Sequence, residues 1–421
     1  MRKTIEASLT EDYIHPVRDA LWGHIYLTED MAKLTICAPF IRLCRIFQLG
    51  PVYLTYPGAT HTRASHSIGV YHLGRRLLQN LCERGASEWL TAEGVKSFLA
   101  ACLLHDLGHF PYTHSLKELS LSSHESLTGA IILKEPMKSL VGNTGADPNL
   151  TAAIIDKEIG ASGDELFFYR KLLSGALDPD KLDYLNRDAK YCGVPYGAQD
   201  VDFIFSRLQP NKERGADIDS RLIPNVESVL FSKYLMYRTV YWHHQVRSAT
   251  AMVKKALING LETGKLSGEE LYNLDDNDLF VLLAEKTGNS LAESVREGRI
   301  FATAVEIPLE QVDIAAIRDI NSRARLEERL AGELNKAGAG LKGEDLIIDV
   351  PEPVSFETGL FVADEGCSFS ESSSAFKTET VNSFIRTLYT VRIFIDQKNK
   401  QRLKTFPQVC SILYKTANRG D

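Results

Sequence analysis

His61-Thr62-Arg63-Ala64-Ser65-His66 and, further along, Leu103-Leu104-His105-Asp106-Leu107-Gly108-His109 are the stretches from which the rest of the chain is read. Each sets imidazoles beside an apolar helical pattern, and the second closes a helix with an adjacent His-Asp pair and a glycine. Two histidines and a carboxylate suit a divalent metal ion and leave room for one more protein ligand. The acidic run Leu177-Asp178-Pro179-Asp180-Lys181-Leu182-Asp183-Tyr184, at the start of another helix, offers that ligand. A bare His-Asp dipeptide is more often a helix-end histidine donating to a backbone carbonyl. Crowding shifts the balance: of 11 histidines in 421 residues, His61, His66, His72, His105, His109, His114 and His124 fall in one short span. A surface helix has no need of that.

Working outward, a helix is expected from about Ser65 to Cys82, with Ile68, Leu73, Leu77, Leu78 and Leu81 as its apolar stripe and His66 in its first turn. The next, about Ala92 to Leu104, ends almost entirely apolar and must be buried by other helices. That burial delivers His105 and Asp106 to the centre of a bundle on a rigid support. Gly108 is expected to end it, and Ser122-Ser123-His124-Glu125 to begin another helix with a serine cap. Thr28 to Leu43 reads as a helix broken at Pro39, and residues 1 to 20 as a hairpin or an arm. The aromatic, Gly/Pro-punctuated loop from Val52 to Thr60 suits either a pocket wall or a rigid surface connection. Residues 210 to 222 read as exposed loop or short strands, and a long helix is expected from Val226 to about Leu257.

Beyond the Gly-Lys-Leu-Ser-Gly run at 264 to 268 the pattern mixes helices (275 to 286, 317 to 336) with alternating strands at 345 to 350, 360 to 362 and 388 to 395. The expected class is therefore mainly α: a helical core over 1–258 and a smaller α+β region over 259–421, with a role in assembly or regulation. Length allows two or three units, since single cores stop growing near ~250 to 300 residues.

Composition is ordinary, 44% hydrophobic and 24% charged, with a formal net charge of -7. Such a chain has no general attraction to a polyanion, so nucleic acid is not an expected partner, and nucleotide phosphates need a local cationic cluster or a metal. No stretch approaches the ~18 apolar residues of a membrane span, and the acidic N-terminus lacks a secretory core, so a cytoplasmic protein is expected. The 7 cysteines, without a CxxC pair, read as free thiols rather than disulfides or zinc ligands.

His66, His105-Asp106 and Asp180 resemble the H…HD…D signature of the HD-domain phosphohydrolases. The flanks are more specific: Gln48-Leu49-Gly50, Tyr56-Pro57-Gly58-Ala59-Thr60-His61-Thr62-Arg63, Asp106-Leu107-Gly108-His109, His114, His124-Glu125, and Asp180-Lys181-Leu182-Asp183-Tyr184 with Arg187-Asp188. They are similar to the deoxynucleoside triphosphate triphosphohydrolase branch, well over residues 1 to 255 and loosely beyond. The resemblance implies an HD helical bundle in which His66, His105, Asp106 and Asp180 hold a divalent ion, be it Mg, Mn, Fe, Ni, Co or Zn. It also implies that His109, His114 and His124 line the scissile phosphate, with His124 in acid catalysis. Lys233 would contact phosphate, Tyr241 would underlie the deoxyribose, and Gln48 and Asp188 would bind the sugar hydroxyl.

Arg63 and Lys181 are further cations for the triphosphate, and Asp180, Tyr184 and Asp188 recur at helical spacing on one face. Lys233, Tyr237, Tyr241 and Gln245 repeat the same spacing, although core packing accounts for the two tyrosines as well as substrate contact does. There are departures from the family. Lys117 stands where an acidic residue is usual, leaving Glu118 or Glu125 to orient His124. Lys233 replaces an arginine and Tyr237 a histidine. His243-His244 reads as pocket wall or subunit contact.

The expectation is metal-dependent hydrolysis of a deoxynucleoside triphosphate, dGTP-like, to deoxynucleoside and inorganic triphosphate, in a homo-oligomer that also takes a nucleotide effector. Its rivals are an HD phosphohydrolase of another nucleotide or phosphate ester, and a non-catalytic nucleotide-binding module. Edge-strand candidates at 346 to 350 and 391 to 395 need a cover, either a second subunit or the chain's own helices.

Overall fold

Helix α1 (Arg2–Thr10) and the hairpin of β1 (His15–Asp19) with β2 (Gly23–Leu27) form the N-terminal arm. The computed structural model describes residues 2–404 except 161–162, 313–316, 318 and 337; Cys410 lies outside the described residues. Thr28 caps α2 (Glu29–Thr35), and α3 (Ala38–Leu43) follows after Ile36 and Cys37. The break expected at Pro39 therefore comes before it, because proline suits the first turn of a helix, where its missing N–H is not needed.

The Thr62 side chain accepts a hydrogen bond from the Ser65 amide and starts α4 (Arg63–Glu83); Thr91 does the same for α5 (Ala92–Leu104) through Gly94. Every residue of α5 from Phe98 to Leu104 is buried. The two helices pack closely, and a Cβ on Gly74 of α4 would lie 2.6 Å from Cys102 Sγ of α5. Around this pair stand α6 (His124–Leu133), α7 (Met137–Asn143), α8 (Pro148–Ile155), α9 (Asp164–Leu173) and α10 (Pro179–Cys192). The α10 helix begins at Asp178, whose side chain accepts from the Lys181 amide, and ends at Gly193 with φ 66°.

After α11 (Val201–Arg207), strands β3 (Gln209–Asn211) and β4 (Gly215–Asp217) pair antiparallel within the stretch read as loop or short strands. The single helix expected from Val226 is instead α12 (Ile223–Met236), a π-helical turn at Tyr237–Tyr241 and α13 (His244–Glu262). The π turn adds a residue to the local repeat, so the even spacing from Lys233 to Gln245 does not persist as one face.

The remainder is α14 (Asp276–Thr287), α15 (Ser290–Arg296), β5 (Ala302–Pro308), α16 (Ile320–Lys336), β6 (Leu346–Asp349), β7 (Phe361–Val362), β8 (Cys367–Ser368), α17 (Phe369–Ser372), α18 (Thr378–Leu388), β9 (Thr390–Ile395) and α19 (Gln397–Lys404). A mainly helical core with a smaller α+β region is thus the observed class. The three-stranded antiparallel sheet has the order β5-β9-β6, so Val391 to Ile395 form its centre rather than an edge. On β6, Ile348 N–H donates to Glu327 Oε1 of α16 at 2.7 Å, and Leu346 C=O accepts from Lys255 Nζ of α13 at 3.1 Å. That edge is covered within the chain.

Packing does not follow chain order. Phe356, Val362, Phe369, Phe376, Val381 and Leu388 join the apolar core of α4, α5 and α10, whereas Ala249 to Leu257 of α13 pack with α14 and α15. A C-terminal segment consequently reaches α10, where Glu357 meets Lys181 at 3.9 Å.

Candidate metal centre and active site

His66, His105 and Asp106 offer three ligand atoms that all lie within 4.8 Å of one another. His105 is the first residue beyond α5, and its Nδ1–H donates to the Cys102 carbonyl at 3.0 Å. This fixes the tautomer and turns the Nε2 lone pair toward Asp106 Oδ1 at 3.3 Å and Asp180 Oδ1 at 3.9 Å. That buried nitrogen has no hydrogen-bond partner. A lone pair facing two carboxylates is satisfied by a cation between them, so the donor set fits a divalent ion.

His66 Nε2 stands 2.9 Å from Asp180 Oδ1, and His66 Nδ1 2.8 Å from Asp183 Oδ2. Burial opposes a charge on this ring, but the two carboxylates outweigh it and lift the pKa to about 10. Burial likewise works against ionised Asp180 and Asp106, and is overcome. His66 and His105 hold Asp180 low, while His105, His109 and Arg63 hold Asp106 well below the carboxylate range. Asp180, with 36% of its side chain exposed, faces the open side of the cluster. It is the fourth expected ligand and lies outside the three-residue group.

Asp183 and Arg187 stand in the quoted flank, but their place behind the metal site was not legible in the sequence. Asp183, completely buried, accepts from His66, from Arg187 Nε and Nη2 at 2.8 and 3.0 Å, and from Trp22 Nε1 at 2.6 Å. Arg187 in turn donates to Asp19 at 2.8 Å. Asp183 thereby orients His66 as a metal-site carboxylate does. Gly69, one turn after His66, makes room for it: a Cβ there would overlap Asp183 Oδ1 and come 2.5 Å from Arg187 Nη2. Arg42 of α3 donates to the carbonyls of Leu107, His109 and Leu274, pinning the turn that carries His105 to His109. Desolvation brings its pKa down to about 10.

Arg63 does not point outward as a free phosphate ligand. Buried, it donates to Asp106 Oδ2 at 2.8 Å. Asp106 Oδ1 also meets His109 Nε2 at 3.2 Å. His109 stacks on His124 with centroids 3.9 Å apart, and His114 closes the group at 4.8 and 5.4 Å from them. His114 is exposed, and desolvation with Arg63, His124 and Lys117 nearby lowers its pKa. Desolvation also lowers His109 and His124. Glu125 Oε2 lies 3.2 Å from His124 Nδ1, whereas Glu118 turns away to Lys254 and Arg323. Of the two expected partners of His124, only Glu125 is within reach. Gly108 does not cap α5, which ends at Leu104; it permits close approach instead, since a Cβ there would overlap the His124 carbonyl and lie 2.6 Å from the Thr128 amide.

Lys181 Nζ binds Asp178 Oδ2 at 2.7 Å and Gly175 O at 3.0 Å, and Lys233 Nζ binds Ser355 O at 2.7 Å and Glu357 Oε2 at 2.9 Å. Asp188, buried, is held by His61 Nε2 at 2.8 Å and Tyr241 OH at 2.6 Å. His61 therefore belongs to this pair and not to the metal cluster. Tyr237 and Tyr241 meet edge to face at 5.1 Å, and Tyr184 is half-buried nearby. Gln48 Oε1 is buried without a hydrogen-bond partner. Gln245 lies past the π turn, exposed, and His243-His244 lie outside the cluster. No helix among the described residues is long and apolar enough to cross a membrane.

Residues 63–156 match the HD domain family, and residues 212–405 match the HD associated region. The uncharacterized protein YwfO of Bacillus subtilis is 37% identical over 247 residues, 58% of this chain and 53% of its own length. The chain thus spans about half the length of that relative. The deoxynucleoside triphosphate triphosphohydrolase SAMHD1 of Bos taurus is 23% identical over 396 residues, 81% of this chain and 67% of its own. A hypothetical protein from Aquifex aeolicus has a solved structure that superposes with a TM-score of 0.69 at 25% identity, covering 93% of this chain and 98% of that one. Residues 63–156, which carry the His-His-Asp triad, are thus an HD domain, followed by an HD associated region.

Proposed function

We propose that this protein is a metal-dependent phosphohydrolase that cleaves a deoxynucleoside triphosphate, dGTP-like, into deoxynucleoside and inorganic triphosphate. The observation that carries the reading is the buried His105 Nε2, without a hydrogen-bond partner, inside a triad whose ligand atoms lie within 4.8 Å. His66, His105, Asp106 and Asp180 would hold the divalent ion, which supplies charge neutralisation at phosphate oxygens and a lowered water pKa. Water oxygen bonds to the α-phosphorus, the bond from phosphorus to the 5′ oxygen breaks, and the departing oxygen takes a proton.

His124 is our candidate donor of that proton, steadied by Glu125. Its pKa is lowered by burial, and an incoming polyphosphate anion favours its protonated form again. Lys181 and Lys233 serve the phosphates, Tyr184, Tyr237 and Tyr241 the nucleoside, and Gln48 and Asp188 the sugar hydroxyl. Arg63 acts by holding Asp106. That the Bos taurus relative SAMHD1 is a deoxynucleoside triphosphate triphosphohydrolase supports the substrate class.

Lys117 beside the histidines and Tyr237 in the nucleoside wall favour a second reading, in which another nucleotide or phosphate ester is the substrate. Incubation with each dNTP and with Mg, Mn, Co or Ni, followed by chromatography, separates them. Tripolyphosphate is expected, and release of orthophosphate or a monophosphate alone would refute the leading reading. A regulatory, non-catalytic module would bind nucleotide and release nothing. We further propose a homo-oligomer that responds to a nucleotide effector; light scattering with and without dGTP tests it, and a fully active monomer in every condition would overturn it.

A further inference from the structure

Lys181 and Lys233 arrive from two different helices, α10 and α12, and both face one carboxylate, Glu357, at 3.9 and 2.9 Å. Both lysine side chains are largely buried, at 13% and 7% exposure. Asp178, the other anion of the group, is locked in place: it caps α10, binds Lys181, and is 1% exposed. Glu357 shares Lys181 with it but caps no helix and is more exposed. Its side chain is 35% exposed, and it is carried by the stretch 351–360, which forms neither helix nor strand. The segment is tethered just ahead of it, by Phe356 packed in the apolar core and beneath Lys233 and by the Val354 amide on Tyr389 OH, and among the described residues Glu357 Oε1 accepts only from the neighbouring Ser355 hydroxyl at 2.9 Å.

Two cations and two carboxylates leave this corner with no net charge. A phosphate group reaching the lysines must displace a carboxylate, and Glu357 is the one able to leave. Lys181 directly follows the expected metal ligand Asp180 on α10, and Glu357 stands 3.9 Å from that lysine.

We infer that Glu357 is a specificity-determining residue: it stands on the two lysines as an internal substitute for substrate phosphate and admits polyphosphate chains in preference to single phosphates. The inference takes its ligand class from the phosphohydrolase reading above. A tripolyphosphate chain carries enough charge to replace the carboxylate on both lysines at once, while orthophosphate exchanges one anion for another and gains little.

The test uses the full chain in the presence of Mg, titrated calorimetrically with orthophosphate, pyrophosphate and tripolyphosphate. Glu357→Gln should raise affinity for orthophosphate by about tenfold and narrow the preference for tripolyphosphate. Lys233→Gln should weaken tripolyphosphate. In the unaltered protein, tripolyphosphate should speed hydrogen exchange across residues 351–360 as Glu357 lets go. An unchanged preference in Glu357→Gln, weaker binding of all three ligands, or exchange indifferent to tripolyphosphate would overturn the inference. A protein that shows these changes yet makes no tripolyphosphate from any dNTP upholds Glu357's role and refutes only the proposed reaction.

Discussion

Substituting Gly69 by alanine adds one methyl group, and the structure assigns it a large effect. The new Cβ would overlap Asp183 Oδ1 and lie 2.5 Å from Arg187 Nη2 and 2.6 Å from Asp183 Cγ. Neither side chain has anywhere to go: Asp183 and Arg187 are fully buried and bonded to His66, Trp22 and Asp19. Breaking a buried ion pair costs about 3–5 kcal/mol, and overpacking alone about 1–3 kcal/mol, so a loss of roughly 3 kcal/mol or more is expected. His66 loses its orienting carboxylate in the same event, which should weaken metal binding by about 10- to 100-fold. Urea unfolding and Mn titration read the two effects. Gly142→Ala is the control, because no heavy atom lies within 4 Å of its added Cβ on α7, and it should be neutral or gain up to ~1 kcal/mol. A Gly69→Ala protein with ordinary stability and ordinary Mn affinity would falsify the role given to this glycine and to Asp183.

Gly108→Ala should push the start of α6 away from the His105–His109 turn and lower kcat more than it raises KM, because the methyl meets His124 O and Thr128 N rather than substrate; a pure KM effect would contradict this. Asp106→Asn and Asp180→Ala should each abolish turnover and metal binding with helical circular dichroism largely retained, and a variant without metal at full rate would overturn the ligand set. Burial raises the Asp276 pKa from an ordinary 3.8 to about 6, against the hydrogen bond it accepts from Phe47 N–H. A raised acid favours the folded state when protonated: its contribution is full below pH 4 and lost as pH rises through about 6. Two units correspond to roughly 3 kcal/mol, so Asp276→Asn should be more stable than the unaltered protein at pH 7 and equal to it near pH 4; equal pH profiles from thermal melts would refute this.

The sequence by itself determined the helical supports of the site. Apolar periodicity in 65–82 and 92–104 is a local property, and α4 and α5 follow it within two residues at either end. His66, His105 and Asp106 were legible because their place at helix ends, together with the histidine crowding, is written in the order of residues. The C-terminal mixture of helices and strands could also be read from its periods. Only the tertiary structure decided which strand lies in the middle of the sheet, because β9 pairs with β5 and β6 across long separations that no local pattern encodes. It also decided that Arg63 faces Asp106 and not solvent, that Asp183 stands behind His66, and that Glu357 crosses to Lys181 and Lys233. These pairings join residues far apart in the chain. Charge type and spacing name the residues able to form an ion pair, whereas the choice of partner depends on which buried groups the packed helices bring within about 3 Å, and on the cost of leaving any of them unpaired.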